Sequence, residues 1–149
     1  MRIALVVSRY HAFITDRLEA GARAALSEAG LAAADVETFA VPGAFELAQA
    51  ATRLAESGRW AAVVCLGCLI RGETPHFEYI ADAAAQGIMR AAQDTGIPIA
   101  FGVLTTHTAD EALARAGDGA GNKGREAATA ALEMARLYGR LDEDRPRGG

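Results

Sequence analysis

The sequence has no apolar run long enough to cross a bilayer. The longest, such as Ile3-Ala4-Leu5-Val6-Val7, cover a few residues, against the roughly 20 that a spanning helix needs. No signal-peptide pattern with a small-residue cleavage site precedes them, so the expected compartment is the cytoplasm, with no membrane partner. Basic charge is not in excess either. The 15 Lys and Arg are scattered among 19 Asp and Glu, a formal charge of -4, and no basic stripe is left to neutralise a phosphate backbone. Nucleic acid is therefore not an expected partner. Cysteine is scarce: Cys65 and Cys68 are the 2 in the chain and form a C-x-x-C, a spacing that invites a redox or metal reading. Both lie in the apolar run 61–70, which reads as a buried strand. Strand residues three apart point to opposite faces, so one metal or one disulfide is awkward to reach from both. A redox pair of this kind also normally opens a helix, where the dipole lowers the thiol pKa. Two small core residues are the expectation. No internal repeat, low-complexity insert or linker divides the chain.

What is present is a single domain's worth of core. A chain of 149 residues with 51% hydrophobic content can bury a sizeable interior, and much of that fraction is Ala, so some apolar surface is available to neighbouring subunits. Short β-branched apolar runs alternate with segments of helical period. Residues 2–7 read as a first strand. A helix follows from about Thr15 as N-cap, with apolar Leu18, Ala22, Ala25 and Leu26 and a stop at Gly30. The unit repeats: strand 36–41 before helix 45–56, strand 61–70 before helix 77–93, and strand 97–104 before helices 109–116 and 123–138. This alternation predicts a parallel sheet of four strands with helices on both faces, and such sheets open their sites at the carboxyl ends of the strands. The domain is expected to cover residues 1–141. The charged tail 142–149, with Pro146 and two terminal glycines, is expected to be loose.

The predicted strand ends carry specific chemistry. After the first come Arg9, Tyr10 and His11. After the second comes Val41-Pro42-Gly43-Ala44-Phe45-Glu46, after the third Ile70-Arg71-Gly72-Glu73-Thr74-Pro75-His76-Phe77, and after the fourth Thr105-Thr106. Such a rim suits a flat heterocycle stacked on Tyr10, a polyol bonded by backbone amides and Glu46, and an anion on the amides near Gly72 to Thr74. His76 stands where a loop enters a helix, a position suited to proton transfer because imidazole titrates near neutral pH; the alternative is a helix-capping or surface residue. Arg115 and Lys123 flank a glycine-rich stretch, and surface charge is the ordinary reading of either. Within that stretch Gly119-Ala120-Gly121-Asn122-Lys123-Gly124 matches G-x-G-x-x-G in form. It joins two helices rather than a strand and a helix, so the dinucleotide fingerprint fails on context.

Taken together, Val41-Pro-Gly-Ala-Phe-Glu46, Leu66-Gly67, Ile70-Arg-Gly-Glu-Thr-Pro-His-Phe77, Phe101-Gly-Val-Leu-Thr-Thr106 and Arg115-Ala-Gly117 leading into Gly121-Asn-Lys-Gly124 resemble the lumazine synthase family, in order from about Arg2 to Leu137. The resemblance implies a flavodoxin-like three-layer α/β/α sandwich. It also implies the joining of a ribitylamino-substituted aminouracil to a dihydroxybutanone phosphate to give 6,7-dimethyl-8-ribityllumazine, without a metal or an organic cofactor. By the same resemblance His76 is the proton-transfer residue, Arg115 the cation on the substrate phosphate, and Gly72, Glu73 and Thr74 the phosphate loop. Tyr10 and His11 meet the pyrimidine, and Ala44, Phe45 and Glu46 meet the ribityl chain or ring. Cys68, Leu69 and Ile70 belong to the substrate-contacting strand end. Phe101, Arg115 and Lys123 resemble residues supplied by a neighbouring subunit, so the resemblance implies a homo-oligomer of pentamers with sites at subunit interfaces.

Two positions depart from the common family pattern. Arg9-Tyr10-His11 stands where Arg-Phe-Asn or Arg-Trp-Asn is commonest, so a titratable ring replaces an amide that donates and accepts at once. His107 occupies a spot that is often acidic, and no role is assigned to it. Two other functions remain to be weighed. One is a catalytically weak flavin- or lumazine-binding oligomer, against which the presence of both Arg115 and His76 argues. The other is a flavodoxin-like electron carrier, for which fold class alone is weak support.

Overall fold

The computed structural model describes residues 1–72 and 75–144. The expected alternation is there: β1 (Ile3–Ser8), α1 (Ala12–Glu28), β2 (Val36–Val41), α2 (Leu47–Glu56), β3 (Ala62–Ile70), α3 (Phe77–Thr95), β4 (Ile99–Thr106), α4 (Ala109–Ala114) and α5 (Lys123–Glu143). The strands form one parallel sheet in the order β2-β1-β3-β4, with Ile3 opposite both Val36 and Ala62, and Val63 opposite Ile99. Helices cover both faces, a flavodoxin-like arrangement. β1 and β3 are central and buried along their whole length, which is why they read as continuous apolar runs rather than as alternating ones. No helix among the described residues is long and apolar enough to cross a membrane.

Two cores lie on either side of the sheet. Ile3, Leu5 and Val7 point toward Ile14 and Leu18 of α1 and Ala128 and Leu132 of α5. Ala4 and Val6 point toward Leu47 and Ala51 of α2 and Ile88 of α3. The cysteines divide between them as expected of a strand: Cys65 joins the second core and Cys68 the first. Burial pushes the Cys65 thiol up to about 12, because a thiolate there would lose its hydration. Native protein is accordingly expected to leave a disulfide exchange reagent unreacted at pH 8, with 2 thiols titrating once the chain is unfolded. Rapid native labelling would contradict this burial.

The outer layer on the first face depends on close approach of α1 and α5. A Cβ built on Gly124 would overlap the Leu18 carbonyl, and one on Gly21 the Asn122 carboxamide. Since the obstacle at Gly124 is backbone rather than a side-chain tip, Gly124→Ala forces the helices apart. It is expected to cost about 3 kcal/mol, read as a lower denaturant midpoint at unchanged slope. Arg125 of α5 also reaches Glu28 of α1, with Nη1 2.6 Å from Oε2.

Several boundaries differ from the sequence reading, each for a local reason. α1 starts at Ala12, and its N-cap is His11 in the left-handed region at φ 60° and ψ 48°. Thr15 is no cap: its buried hydroxyl donates to the Ser8 carbonyl at 2.7 Å, tying the first turn of the helix to the end of β1. A short 3-10 turn over Ala44–Glu46 precedes α2. α3 runs on to Thr95 and stops at Gly96 in the left-handed region, delaying β4 to Ile99. α4 ends at Ala114, two residues short of the expected 116. α5 continues to Glu143, so Asp142 and Glu143 are helical, whereas residues 145–149 of the expected tail lie outside the described residues.

Candidate active site

Backbone pairing continues past the ends of β1 and β2 and draws their two loops together. Arg9 N–H donates to the Val41 carbonyl at 2.8 Å and Tyr10 N–H to the Pro42 carbonyl at 3.2 Å. The Tyr10 and His11 rings then stand edge to face with centroids 4.4 Å apart, and Phe13 adds a third ring 5.9 Å from His11. Opposite them, the 3-10 turn presents Ala44, Phe45 and Glu46, and the end of β3 supplies Leu69 and Ile70. These residues, Phe13 excepted, enclose a cleft of about 410 Å³ at the carboxyl ends of β1, β2 and β3, beside the point where the strand order reverses. Tyr10 and Phe45 are half or more exposed at 50% and 57%, while Ala44, at 5%, is buried. Flat apolar walls, with Glu46 as the one carboxylate among the described residues that line the cleft, suit a planar ring carrying a hydroxylated chain.

Four further residues line the cleft: Pro42 and Gly43 before the 3-10 turn, and Phe77 and Ile80 of α3, which complete the wall. Of the two on α3, the i, i+3 spacing immediately after the Arg71 to His76 loop is the available signal, and ordinary apolar positions of a helix share it.

The loop after the third strand leads from Gly72 to His76. Gly72 leaves β3 at φ 87°, a left-handed turn suited to glycine. Glu73 and Thr74 lie outside the described residues. His76 is exposed at the N-cap of α3, and its side chain makes no capping hydrogen bond, so capping does not explain it. Its ring lies 6.3 Å from that of Tyr79, and the next residue, Phe77, lines the cleft. Cys68 is not part of the cleft: at 1% exposure it faces the α1 and α5 core, on the other side of the sheet from Leu69. His107 is exposed, its backbone N–H donating to Glu111.

Phe101, Arg115 and Lys123 are gathered elsewhere. They surround a second depression, of about 470 Å³, alongside the edge strand β4, together with Thr105, Gly121 and Glu126. Lys123 is half-buried and lies 3.7 Å from Glu126, while Arg115 is exposed at the end of α4. The chain thus holds an aromatic and apolar half at β1 to β3 and a cationic half at β4, with no lining residue in common.

Similarity to known proteins identifies the family. The profile of the 6,7-dimethyl-8-ribityllumazine synthase family matches residues 1–139. A 6,7-dimethyl-8-ribityllumazine synthase of Syntrophus aciditrophicus (strain SB) is 52% identical over 137 residues, spanning 92% of this chain and 89% of the relative. The chain belongs to the 6,7-dimethyl-8-ribityllumazine synthase family.

Proposed function

We propose that this chain condenses 5-amino-6-(D-ribitylamino)uracil with 3,4-dihydroxy-2-butanone 4-phosphate to 6,7-dimethyl-8-ribityllumazine, releasing phosphate and water, as a step of riboflavin biosynthesis in the cytoplasm. The observation that carries this reading is the cleft in which Tyr10, Phe45 and Glu46 meet at the strand ends. Tyr10 stacks on the pyrimidine with His11 beside it, and Glu46 and the Ala44–Phe45 backbone take the ribityl hydroxyls. Leu69 and Ile70 close the side of the ring, with the Cys68 contribution limited to backbone. Gly72, Glu73 and Thr74 form the phosphate loop.

The chemistry needs positioning and proton transfer. The aminouracil amine attacks the ketone, water leaves to give an imine, phosphate is eliminated to leave an enol that tautomerises to a carbonyl, and the ribityl-bearing nitrogen closes the ring on that carbonyl with loss of a second water. Holding both substrates in one site turns a bimolecular encounter into an internal reaction. Arg115 binds the phosphate and stabilises it as it leaves, Lys123 adds positive charge, and His76 moves the protons.

Because the cationic half stands apart from the aromatic half on one chain, we assign Phe101, Arg115 and Lys123 to the neighbour's site in a pentamer. Support for association along β4 comes from an apolar groove between α3 and α5, lined by Met89, Ile99, Ala100, Met134 and Tyr138, with Met89 and Met134 exposed at 60% and 39%. The compact domain of residues 1–141 is the unit of this assembly.

The test is lumazine formation followed by absorbance and fluorescence in chelator-treated buffer, with the assembly mass measured alongside. Turnover from a five-chain species, or a multiple of it, is the expected result. A folded oligomer that binds lumazine and forms none would replace this reading with a binding protein.

A further inference from the structure

Asn122 is used by none of the steps above, yet it is buried to 3% exposure directly after the exposed residues 118–121. Its carboxamide is bonded at both ends. Oδ1 accepts from Arg125 N–H at 3.0 Å and caps α5. Nδ2 donates to the Gly117 carbonyl at 2.8 Å and to the Arg17 carbonyl of α1 at 3.1 Å. The loop it holds begins at Arg115 and ends at Lys123, and these two residues are themselves joined, Lys123 N–H donating to the Arg115 carbonyl at 2.9 Å.

Ala116 anchors the start of the loop in the core at 1% exposure, and Asn122 N–H donates to the Gly119 carbonyl at 3.1 Å; the glycines between add no side-chain restraint. Gly117, Gly119 and Gly121 have no side chains, and a Cβ at any of the three would meet nothing within 4 Å. Such a chain gains conformational freedom unless its ends are fixed. The space for the Asn122 carboxamide is provided by the absence of a side chain at Gly21, where a Cβ would overlap it.

We propose that Asn122 is a positioning residue for the phosphate-binding cations: its Nδ2 donors tie the Arg115 to Lys123 loop to α1 and thereby set where the two positive charges stand. The proposal rests on the assignment of Arg115 and Lys123 to the substrate phosphate. It separates two jobs of one side chain, helix capping by Oδ1 and loop placement by Nδ2.

Asn122→Ser makes the separation measurable. Serine caps a helix about as well as asparagine, is uncharged, and is too short to bridge Arg17 and Gly117. The expected result is a melting temperature lowered by several degrees, since the Arg17 and Gly117 carbonyls lose their donor, with an assembly of unchanged mass. KM for the butanone phosphate should rise about tenfold, the effect of one or two lost hydrogen bonds, with KM for the aminouracil within about twofold. Inorganic phosphate, titrated calorimetrically into the assembled protein, should bind correspondingly more weakly to Asn122→Ser. In an Arg115→Ala background the serine substitution should cost less than it does in wild type, because only Lys123 is then left to place. Unchanged phosphate affinity in Asn122→Ser, equal rises in both KM values, or additive losses in the double variant would each overturn the role. Absence of lumazine formation by wild-type protein would instead remove the reading on which it rests. If Asn122→Ser does not assemble, Gly21→Ala, which intrudes on the carboxamide from α1, gives the same comparison, and wild-type phosphate affinity there overturns the proposal.

Discussion

Arg115→Ala is expected to lower kcat/KM for the butanone phosphate by roughly 100- to 1000-fold, the usual consequence of truncating one partner of a desolvated charge pair. Arg115 is exposed at the end of α4 in the single chain, where a cation is worth little because water screens it. In the proposed assembly its value arises when a neighbour's cleft covers it and the phosphate is taken out of water, which strengthens the attraction several-fold. The loss should therefore fall on the phosphate substrate in both KM and kcat, since phosphate is first bound and then expelled. Affinity for the aminouracil, measured by fluorescence quenching, should change little. Lysine at this position should restore only part of the rate, because a point charge replaces a planar fork. Wild-type kinetics in Arg115→Ala would remove this residue from the phosphate site.

His76→Ala is expected to slow turnover by roughly 100- to 10,000-fold, the range associated with a positioned acid or base. The structure makes this substitution a clean one. The His76 side chain caps nothing at the start of α3, and the helix's first turn is closed by its backbone carbonyl, which accepts from Ile80 N–H at 3.0 Å. Alanine retains that carbonyl, so folding and assembly should be unaffected. Free imidazole added to the variant should recover part of the rate, an effect that loss of a merely structural contact would not show. An unchanged single-turnover rate in His76→Ala would assign the proton transfers to another group.

Much of the frame could be read from residue pattern, and its failures share a cause. β1 and β3 were legible because central parallel strands are apolar on both faces, and the division of Cys65 and Cys68 between two cores follows from strand geometry alone. The start of α1 was misplaced because Thr15 has the chemistry of a cap, while the residue that turns the chain, His11, does so in a left-handed conformation that side chains other than glycine seldom adopt. Thr15 was free to be something else once Ser8 stood beside it to accept its hydroxyl proton. Phe77 and Ile80 were missed as cleft residues for a different reason: apolar positions on a helix look alike whether they meet a core or a ligand. Cys68 was grouped with Leu69 and Ile70 by adjacency, whereas the pleat sends its side chain to the face opposite Leu69, and Ile70, on the same face as Cys68, reaches the cleft because it stands at the strand's end.

The sequence by itself determined the alternation of strands and helices, the apolar faces that build the two cores, and the chemical character of each loop at the strand ends. Those properties are local, set by period, side-chain shape and turn residues over a few positions. Only the tertiary structure decided which loops meet. The strand order β2-β1-β3-β4 puts Tyr10 beside Glu46 and Ile70, and leaves Arg115, Lys123 and Phe101 along the edge of β4. The physical reason is that loop convergence depends on strand pairing and helix packing between distant segments. In particular, the glycine contacts of α1 with α5 fix Asn122, and through it the cationic loop, at a distance of 105 residues in sequence from its partner Arg17.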